Sequence, residues 1–302
     1  MVDIRKALAE GAAGTGGSFV PTEYAKRFLE LVQANSTAIP LCENLTMKYD
    51  EMKIPSVTAG NTAYWVDENA TITSSDLTTS SITLTAKKVA ALTQISTELM
   101  EDSDPAIGQV VTDQLAKDVA LKVDDEIYNS TNSTFEGFRD TTNNTDINTV
   151  DGDNAAIEYD DIIDLQSEIQ TDNFDGGSHI VMHPKELGMI RKLKDAQSRP
   201  LFDEATFGSP LLREAPKTIG TILGLRVVLS TQIPVTTGTG ASTDVLVITQ
   251  GTSAIYGVRR LARFHREYQI ETDNWKIQTN LRSAFSMKYE KSCGVIQNVT
   301  TS

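Results

Sequence analysis

The residues of this chain that could do chemistry are few and scattered. His179 and His183 stand four apart, a spacing that on a helix suits a shared metal ion. They flank the run HIVMH, whose apolar centre reads as a buried strand. Along a strand they stand about 13 Å apart, at about 3.3 Å per residue. One ion cannot bridge that, so both are read as structural. His265 lies between Arg263 and Arg266 with no cysteine or second histidine nearby. Cys42 and Cys293 are isolated thiols without CxxC spacing, pointing to a reducing compartment or to buried small side chains. Paired acids occur at Asp67-Glu68, Asp124-Asp125 and Asp160-Asp161. Adjacent acids on a helix do not face each other, and an acidic chain produces such pairs by chance. There is no phosphate-binding loop with its Lys, no GxSxG elbow and no EF-hand spacing. Arg259, Arg260, Arg263 and Arg266 alternate with apolar residues; they either touch phosphate or form a solvated or acid-paired strand face, the commoner use. The expectation is therefore no catalytic residue, no cofactor and no metal. Catalytic groups drawn from distant parts of a chain leave no local motif.

Composition narrows the classes. The chain has 302 residues, 39% hydrophobic and 23% charged, which suits a folded protein with a sizeable core and needs no disulfide staple. Its formal net charge of −14 makes it a poor candidate for nonspecific grip on nucleic acid, which needs Lys and Arg. No apolar run reaches the roughly 18 residues that span a bilayer, and MVDIRKALAEG lacks a signal core. The expected setting is cytoplasm, with no membrane partner.

Residues 95–129 form the stretch that must position the rest. Ser96 can cap a short helix carrying Leu99 and Met100. Asp104-Pro105 is a second, stronger start, because Asp accepts free backbone N–H groups and Pro has none to lose at the first helical position. From 105 to 129 no Pro intervenes, so the helix predicted there is about 37 Å long at about 1.5 Å per residue. Its apolar residues fall on two sides, about 150° apart at about 100° per residue. Ile107, Val110, Val111, Leu115 and Leu121 lie on one side; Ala116, Val119, Ala120, Val123 and Ile127 lie on the other. Asp113–Lys117 and Asp118–Lys122 are pairs of opposite charge four apart. Either this is a core helix buried on two sides, or it is a spine with its own domain on one side and something else on the other.

Around it, residues 1–17 read as a flexible arm and 23–34 as a short amphipathic helix. Runs 61–68 and 82–95 read as strands of a long hairpin with a polar Ser/Thr tip. A two-stranded hairpin is marginal alone in water, so it must lie on its own body or on another chain. Residues 157–250 interleave helices and strands, suggesting one compact α/β unit. Residues 254–299 are strand-rich, with passes at Phe264–Ile270 by pattern, at 275–281 by alternation, and at 285–289. They need a partner layer, and one side of the long helix is available.

Several segments, in order, are similar to motifs of one family. Gly16-Gly17-Ser18-Phe19-Val20-Pro21 resembles a GG-x-x-VP start after an N-terminal arm. Ala63-Tyr64-Trp65-Val66-Asp67-Glu68 resembles A-x-W-V-x-E, and Ile95-Ser96-Thr97-Glu98-Leu99-Met100-Glu101-Asp102-Ser103 resembles I-S-x-E-L-L-x-D-S. Phe135-Glu136-Gly137-Phe138 resembles a P-x-G-I/L turn with Phe for Pro. Gly224-Leu225-Arg226-Val227-Val228-Leu229-Ser230 resembles G-x-P-V-x-x-S with Arg for Pro, and Tyr256-Gly257-Val258-Arg259-Arg260 resembles the start of the closing strands. The family is that of tailed-virus (bacteriophage) major capsid proteins of the Hong Kong 97 type.

The resemblance implies an α+β capsid fold. Its parts would be an N-terminal arm at 1–55, an extended β-hairpin loop at 56–95, a peripheral domain with the spine helix at 96–145 and 251–302, and an inserted α/β axial domain at 146–250. It implies self-assembly as hexamers and pentamers into an icosahedral shell enclosing double-stranded DNA without sequence-specific binding. Candidate inter-subunit contacts are then Trp65, Val66, Glu68 and Leu77 on the hairpin, and Arg259 and Arg260 on the closing strands. Implied partners besides the chain itself are a portal and optionally a cement protein; with Met1 so near the GG motif, a scaffolding protein is expected to be separate. Some members crosslink through a Lys on the extended loop; 61–86 contains no Lys, so a noncovalent shell is expected. The rival readings are an encapsulin-like nanocompartment enclosing cargo enzymes, and a stand-alone hydrolase or binding domain.

Overall fold

The computed structural model describes residues 31–32, 35–63, 65–69, 71, 73–102, 107–132, 135–153, 155–192, 203–204, 218–235 and 242–300. The N-terminal arm, the GG motif, most of the first predicted helix and the Asp104-Pro105 cap lie outside them.

In chain order the first strands are β1 (Glu43–Thr46), β2 (Glu51–Ala59), β3 (Thr78–Thr85) and β4 (Lys87–Ser96). Helices α1 (Thr97–Asp102) and α2 (Ile107–Asn129) follow, then the short strands β5 (Thr131–Asn132), β6 (Phe135–Glu136) and β7 (Asn148–Asp151). Next come α3 (Tyr159–Thr171), β8 (His179–Met182), α4 (Pro184–Ile190), β9 (Asp203–Glu204), β10 (Thr218–Ile222), β11 (Leu225–Leu229) and β12 (Ser242–Ile248). The long strands β13 (Ala254–Gln269) and β14 (Asn274–Met287) and the final β15 (Cys293–Thr300) complete the described chain.

Two sheets carry the architecture. One has four strands in the order β1-β13-β14-β4; the other has seven, β7-β15-β12-β8-β11-β10-β9. Residues 285–287 of the run 285–289, which reads as a separate pass, extend β14 instead, and that strand runs 14 residues without a break. β15, which follows the closing strands in sequence, pairs with β12 and β7 in the seven-stranded sheet rather than with β14. Strand alternation alone does not specify a partner; here Val295 and Ile296 point to opposite faces and each meets a different core.

Helix α2 lies under the four-stranded sheet. Ala116, Val119, Ala120, Val123 and Ile127 are buried and share one cluster with Ile95, Ile277, Leu281 and Phe285. That cluster continues into Val181, Val228, Leu246 and Val295 on one face of the seven-stranded sheet, so one core joins the two units. The opposite face of that sheet, with Ile180, Val227, Val245 and Val247, packs on Ile162, Leu165 and Ile169 of α3 and Leu187 and Ile190 of α4. The other predicted stripe of α2 divides. Leu115 is buried at 4% exposure, whereas Val110 and Leu121 stand 63% and 43% exposed. The predicted Asp118–Lys122 pair is replaced: Lys122 reaches Asp125 at 2.8 Å and Glu126 at 3.0 Å, and Asp118 accepts from Gln114 at 2.8 Å.

Both ends of this region are closed by local chemistry. The Ser96 hydroxyl accepts from Leu99 N–H at 3.3 Å, as a cap for α1 should. At the far end of α2, Phe138 and Arg139 N–H donate to the carbonyls of Ile127 and Tyr128 at 2.9 and 3.0 Å. Those carbonyls have no partner within the helix. Gly137 permits this turn, since a Cβ there would lie 2.8 Å from Ser130 N. Phe135 and Phe138 then pack on Phe285 with ring centroids 5.7 and 5.3 Å apart.

The hairpin differs from its expected register. β2 pairs with β3 from Glu51↔Thr85 to Ala59↔Thr78, and the described part of 61–68 is not strand. The run 82–95 divides at Ala86, and β4 leaves the hairpin to pair with β14 along its whole length. The physical reason is burial. Leu84 and Ala86 sit in a small core with Met47, Ile255 and Ala284, whereas Trp65 meets none of the described layers and is fully exposed.

Candidate assembly interface

Three features define a surface suited to other chains rather than to a small substrate. The first is the hairpin. Its face Met52–Leu84 and Ile54–Ile82 is held at the base by the Met47, Ile255 and Ala284 core. Beyond that point the facing pairs become polar, with Ser56 opposite Ser80. Trp65, Val66, Glu68 and Leu77 all lie in the connection between β2 and β3, and all are exposed. The four sequence candidates thus share one projecting segment that no described element of its own chain covers.

The second feature is the outer end of the four-stranded sheet. β13 and β14 turn at residues 270–273, where Asp273 accepts from the Tyr268 hydroxyl at 2.7 Å and from the Thr97 hydroxyl at 2.8 Å. Tyr268 packs against Trp275 at 5.2 Å, and Ile270 at the tip is exposed. The third is the arginine cluster. Arg259 donates to Asp50 at 3.2 Å, Arg282 meets the same carboxylate at 3.0 Å, and Arg260 donates to Asn280 at 2.7 Å. Arg259 is thus tied to the hairpin base of its own chain, which is the acid-paired strand face foreseen for this cluster.

The remaining reactive groups are structural. His179 is buried, its ring within 2.8 Å of the Ser178 hydroxyl, and burial with Arg226 nearby pulls its pKa down to about 4. His183 caps α4 by accepting from Lys185 N–H at 3.2 Å. Cys42 and Cys293 are both buried, and burial pushes both thiols well above the usual range, so neither is a ready nucleophile. Among the described residues no group of three His, Cys, Asp or Glu side chains could hold a metal ion. No described helix is long and apolar enough to cross a membrane. A shallow polar depression lined by Asp125, Glu126, Asn129, Ser130 and Thr131 is open to solvent, unlike the apolar clefts that enclose small substrates.

Sequence reasoning missed the two acidic pairs that matter structurally. Asp124 is buried and accepts from the Ser36 hydroxyl, from Thr37 N–H and hydroxyl at 2.7 Å each, and from Ala38 N–H at 3.2 Å. Burial raises its pKa, and these donors oppose the rise. It fastens the chain before β1 onto α2. Asp161 accepts from Glu158 N–H at 2.8 Å and completes a capping box on α3. The capping spacing was available in the sequence; the Asp124 contacts, spanning 86 to 88 residues, were not.

A long helix under a long-stranded sheet, a second sheet built on the same core and a projecting ribbon with an exposed tip define a shell-building subunit. The chain belongs to the phage capsid family, whose model matches residues 16–293. It is a major capsid protein, located in the virion shell. Its fold is similar to the capsid of an empty GTA particle, with a TM-score of 0.71 at 16% identity over 88% of this chain and 90% of that one. It is also similar to a chain of Microbacterium phage Oxtober96, with a TM-score of 0.66 at 17% identity over 86% and 90%. The encapsulin of the holo-SrpI complex from Synechococcus elongatus PCC 7942 shares the fold at a TM-score of 0.63 and 13% identity over 88% of each chain. Among curated proteins no sequence matches significantly.

Proposed function

We propose that this capsid protein assembles as hexamers and pentamers into an icosahedral shell that encloses double-stranded DNA, and that assembly takes place in the host cytoplasm. The observation that supports this reading is the hairpin: it projects beyond its anchored base with Trp65 fully exposed, and a ribbon of two strands is marginal without a further layer. A neighbouring copy supplies that layer. Trp65, Val66, Glu68 and Leu77 make the contact, with Arg260 on the receiving side; Arg259, already paired with Asp50, contributes less.

The working division is an arm up to about residue 35, the hairpin at 51–85, and a peripheral domain of the four-stranded sheet with α1 and α2. The axial domain is the seven-stranded sheet with α3 and α4, and it takes in β15. A portal, a scaffolding protein and a cement protein are further partners that the family resemblance implies. The net charge of −14 fits a container that holds DNA without gripping it.

Electron microscopy of the expressed protein, alone and with its neighbouring genes, tests the reading: closed shells are expected, and monomers or small oligomers under every assembly condition would refute it. Nuclease treatment and the absorbance ratio of purified particles separate DNA from protein cargo, and protein cargo would favour the nanocompartment reading. Denaturing gels of mature particles are expected to give single subunits; a ladder of linked subunits would sink the noncovalent shell.

A further inference from the structure

We propose that Asp50 is an angle clamp. Held by two arginines of the long strands, it fixes the direction in which the hairpin leaves its own chain, and through that direction the curvature of the shell. The link to curvature rests on the shell-building reading above; the clamp itself can be measured without it.

The hairpin joins the body at two short points. The chain enters β2 directly after Asp50 and passes from β3 to β4 through Ala86 alone. The Ala86 N–H donates to the Asp50 carbonyl at 2.8 Å, which ties the two points together. Beneath them lies the small core of Met47, Leu84, Ala86, Ile255 and Ala284. Apolar contact is non-directional, and methionine adapts its shape to its surroundings. That core holds the base of the hairpin without setting an angle.

The ion pairs supply the direction. Arg259 Nε and Arg282 Nη1 both reach Asp50 Oδ1, at 3.2 and 3.0 Å. Arg259 stands on β13 and Arg282 on β14, so the carboxylate is fixed against two strands at once. A bulge makes this possible. The β13–β14 register steps from Val258↔Ser283 to Arg260↔Arg282, which leaves Arg259 as an extra residue. Bulges of this kind re-aim a side chain. Strict alternation would turn either Arg259 or Arg260 away from the hairpin. With the extra residue, Arg259 reaches Asp50 while Arg260 reaches Asn280.

The clamp is open to solvent, with the Asp50 side chain 61% exposed. Exposed ion pairs add little to global stability, so this one biases an orientation without holding up the fold. Removing the carboxylate leaves two guanidinium groups near one point with their shared counter-charge gone, and like charges repel.

The test uses full-length, unassembled protein carrying Ser80→Cys on β3 and Glu271→Cys at the turn between β13 and β14, both exposed positions. Cys42 and Cys293 are buried, so spin labels go to the new thiols. Pulsed dipolar spectroscopy is expected to give one narrow distance distribution. Asp50→Asn should at least double its width, and Asp50→Glu should return it toward the original. Salt at about 1 M, which shortens the screening length to about 3 Å, should broaden the wild-type distribution in the same way. Equal widths for wild type and Asp50→Asn, a width indifferent to salt, or a thermal melt of Asp50→Asn lowered by more than a few degrees would overturn the clamp. In electron micrographs Asp50→Asn shells should vary in diameter where wild-type shells are uniform; uniform variant shells would overturn the link to curvature. Wild-type protein that never closes into shells would refute the shell reading, while the distance measurement would still decide the clamp.

Discussion

Asp124 shows how much a single carboxylate can organise here. It gathers donors from Ser36, Thr37 and Ala38 in a site closed to water, so its removal strands buried N–H groups. Asp124→Ala is expected to cost about 3 kcal/mol, read from denaturant midpoints of disassembled protein. Glu186 is the opposite case. It is buried on α4 with both carboxylate oxygens unpartnered among the described residues, and burial pushes its pKa up to about 7. The folded state therefore holds this proton more tightly than the unfolded state, whose value is 4.5. Stability from this group is full below pH 4.5 and is lost as pH rises through 7. Glu186→Gln removes the ionisation, so the variant should outlast the wild type at pH 8 and match it near pH 4. Equal pH slopes for the two proteins would contradict this.

At the scale of elements, α2 combines a buried side with partly uncovered outer positions. Val123 and Leu115 were on different sequence stripes, yet both are buried. Val123→Asp and Leu115→Asp should therefore both block folding, since an unpaired charge in that core costs about 4 kcal/mol or more. Leu121 and Val110 are the positions where the second stripe meets solvent. Leu121→Asp is expected to leave the thermal melt of the unassembled protein within a few degrees of the wild type. A collapse of the melt would mean that Leu121 is packed within its own chain. At the helix end, Gly137→Ala should destabilise by about 2 kcal/mol, because its Cβ would press on Ser130 backbone that cannot yield.

For the whole molecule, the question is how two sheets act as one subunit. They share a core around α2, and a polar link reinforces it. Arg139, after the α2 turn, donates Nε to Asp244 of β12 at 2.7 Å and also bonds Asn129 at 2.7 Å; Asn129 in turn donates to the Gln232 carbonyl at 2.7 Å. The pair is largely shielded, so Arg139→Ala should cost about 2 kcal/mol, between surface and buried pairs. A double-mutant cycle with Asp244→Asn measures the coupling, and a value near zero would remove the link from the account. The same scale explains why the acidic balance of the chain says little by itself: charge is unevenly spread, and the hairpin from 51 to 85 carries Lys53 as its one cation.

Elements governed by neighbours in sequence were legible before any coordinates. The Ser96 cap, the long helix without proline and the strand of HIVMH ended by Pro184 all follow from steric and hydrogen-bonding rules that act over a few residues. The ordered motifs from Gly16 to Arg260 were enough to point to the family. Partner choice was not legible. Whether 82–95 is one strand or two, which sheet β15 joins, which stripe of α2 is covered and why Asp124 is buried each depend on contacts between distant segments. Strand alternation marks two faces without naming what covers either, and a charged side chain looks the same in sequence whether it meets water or a buried amide. Only the packed chain decides those, because burial is set by the layers that happen to meet there.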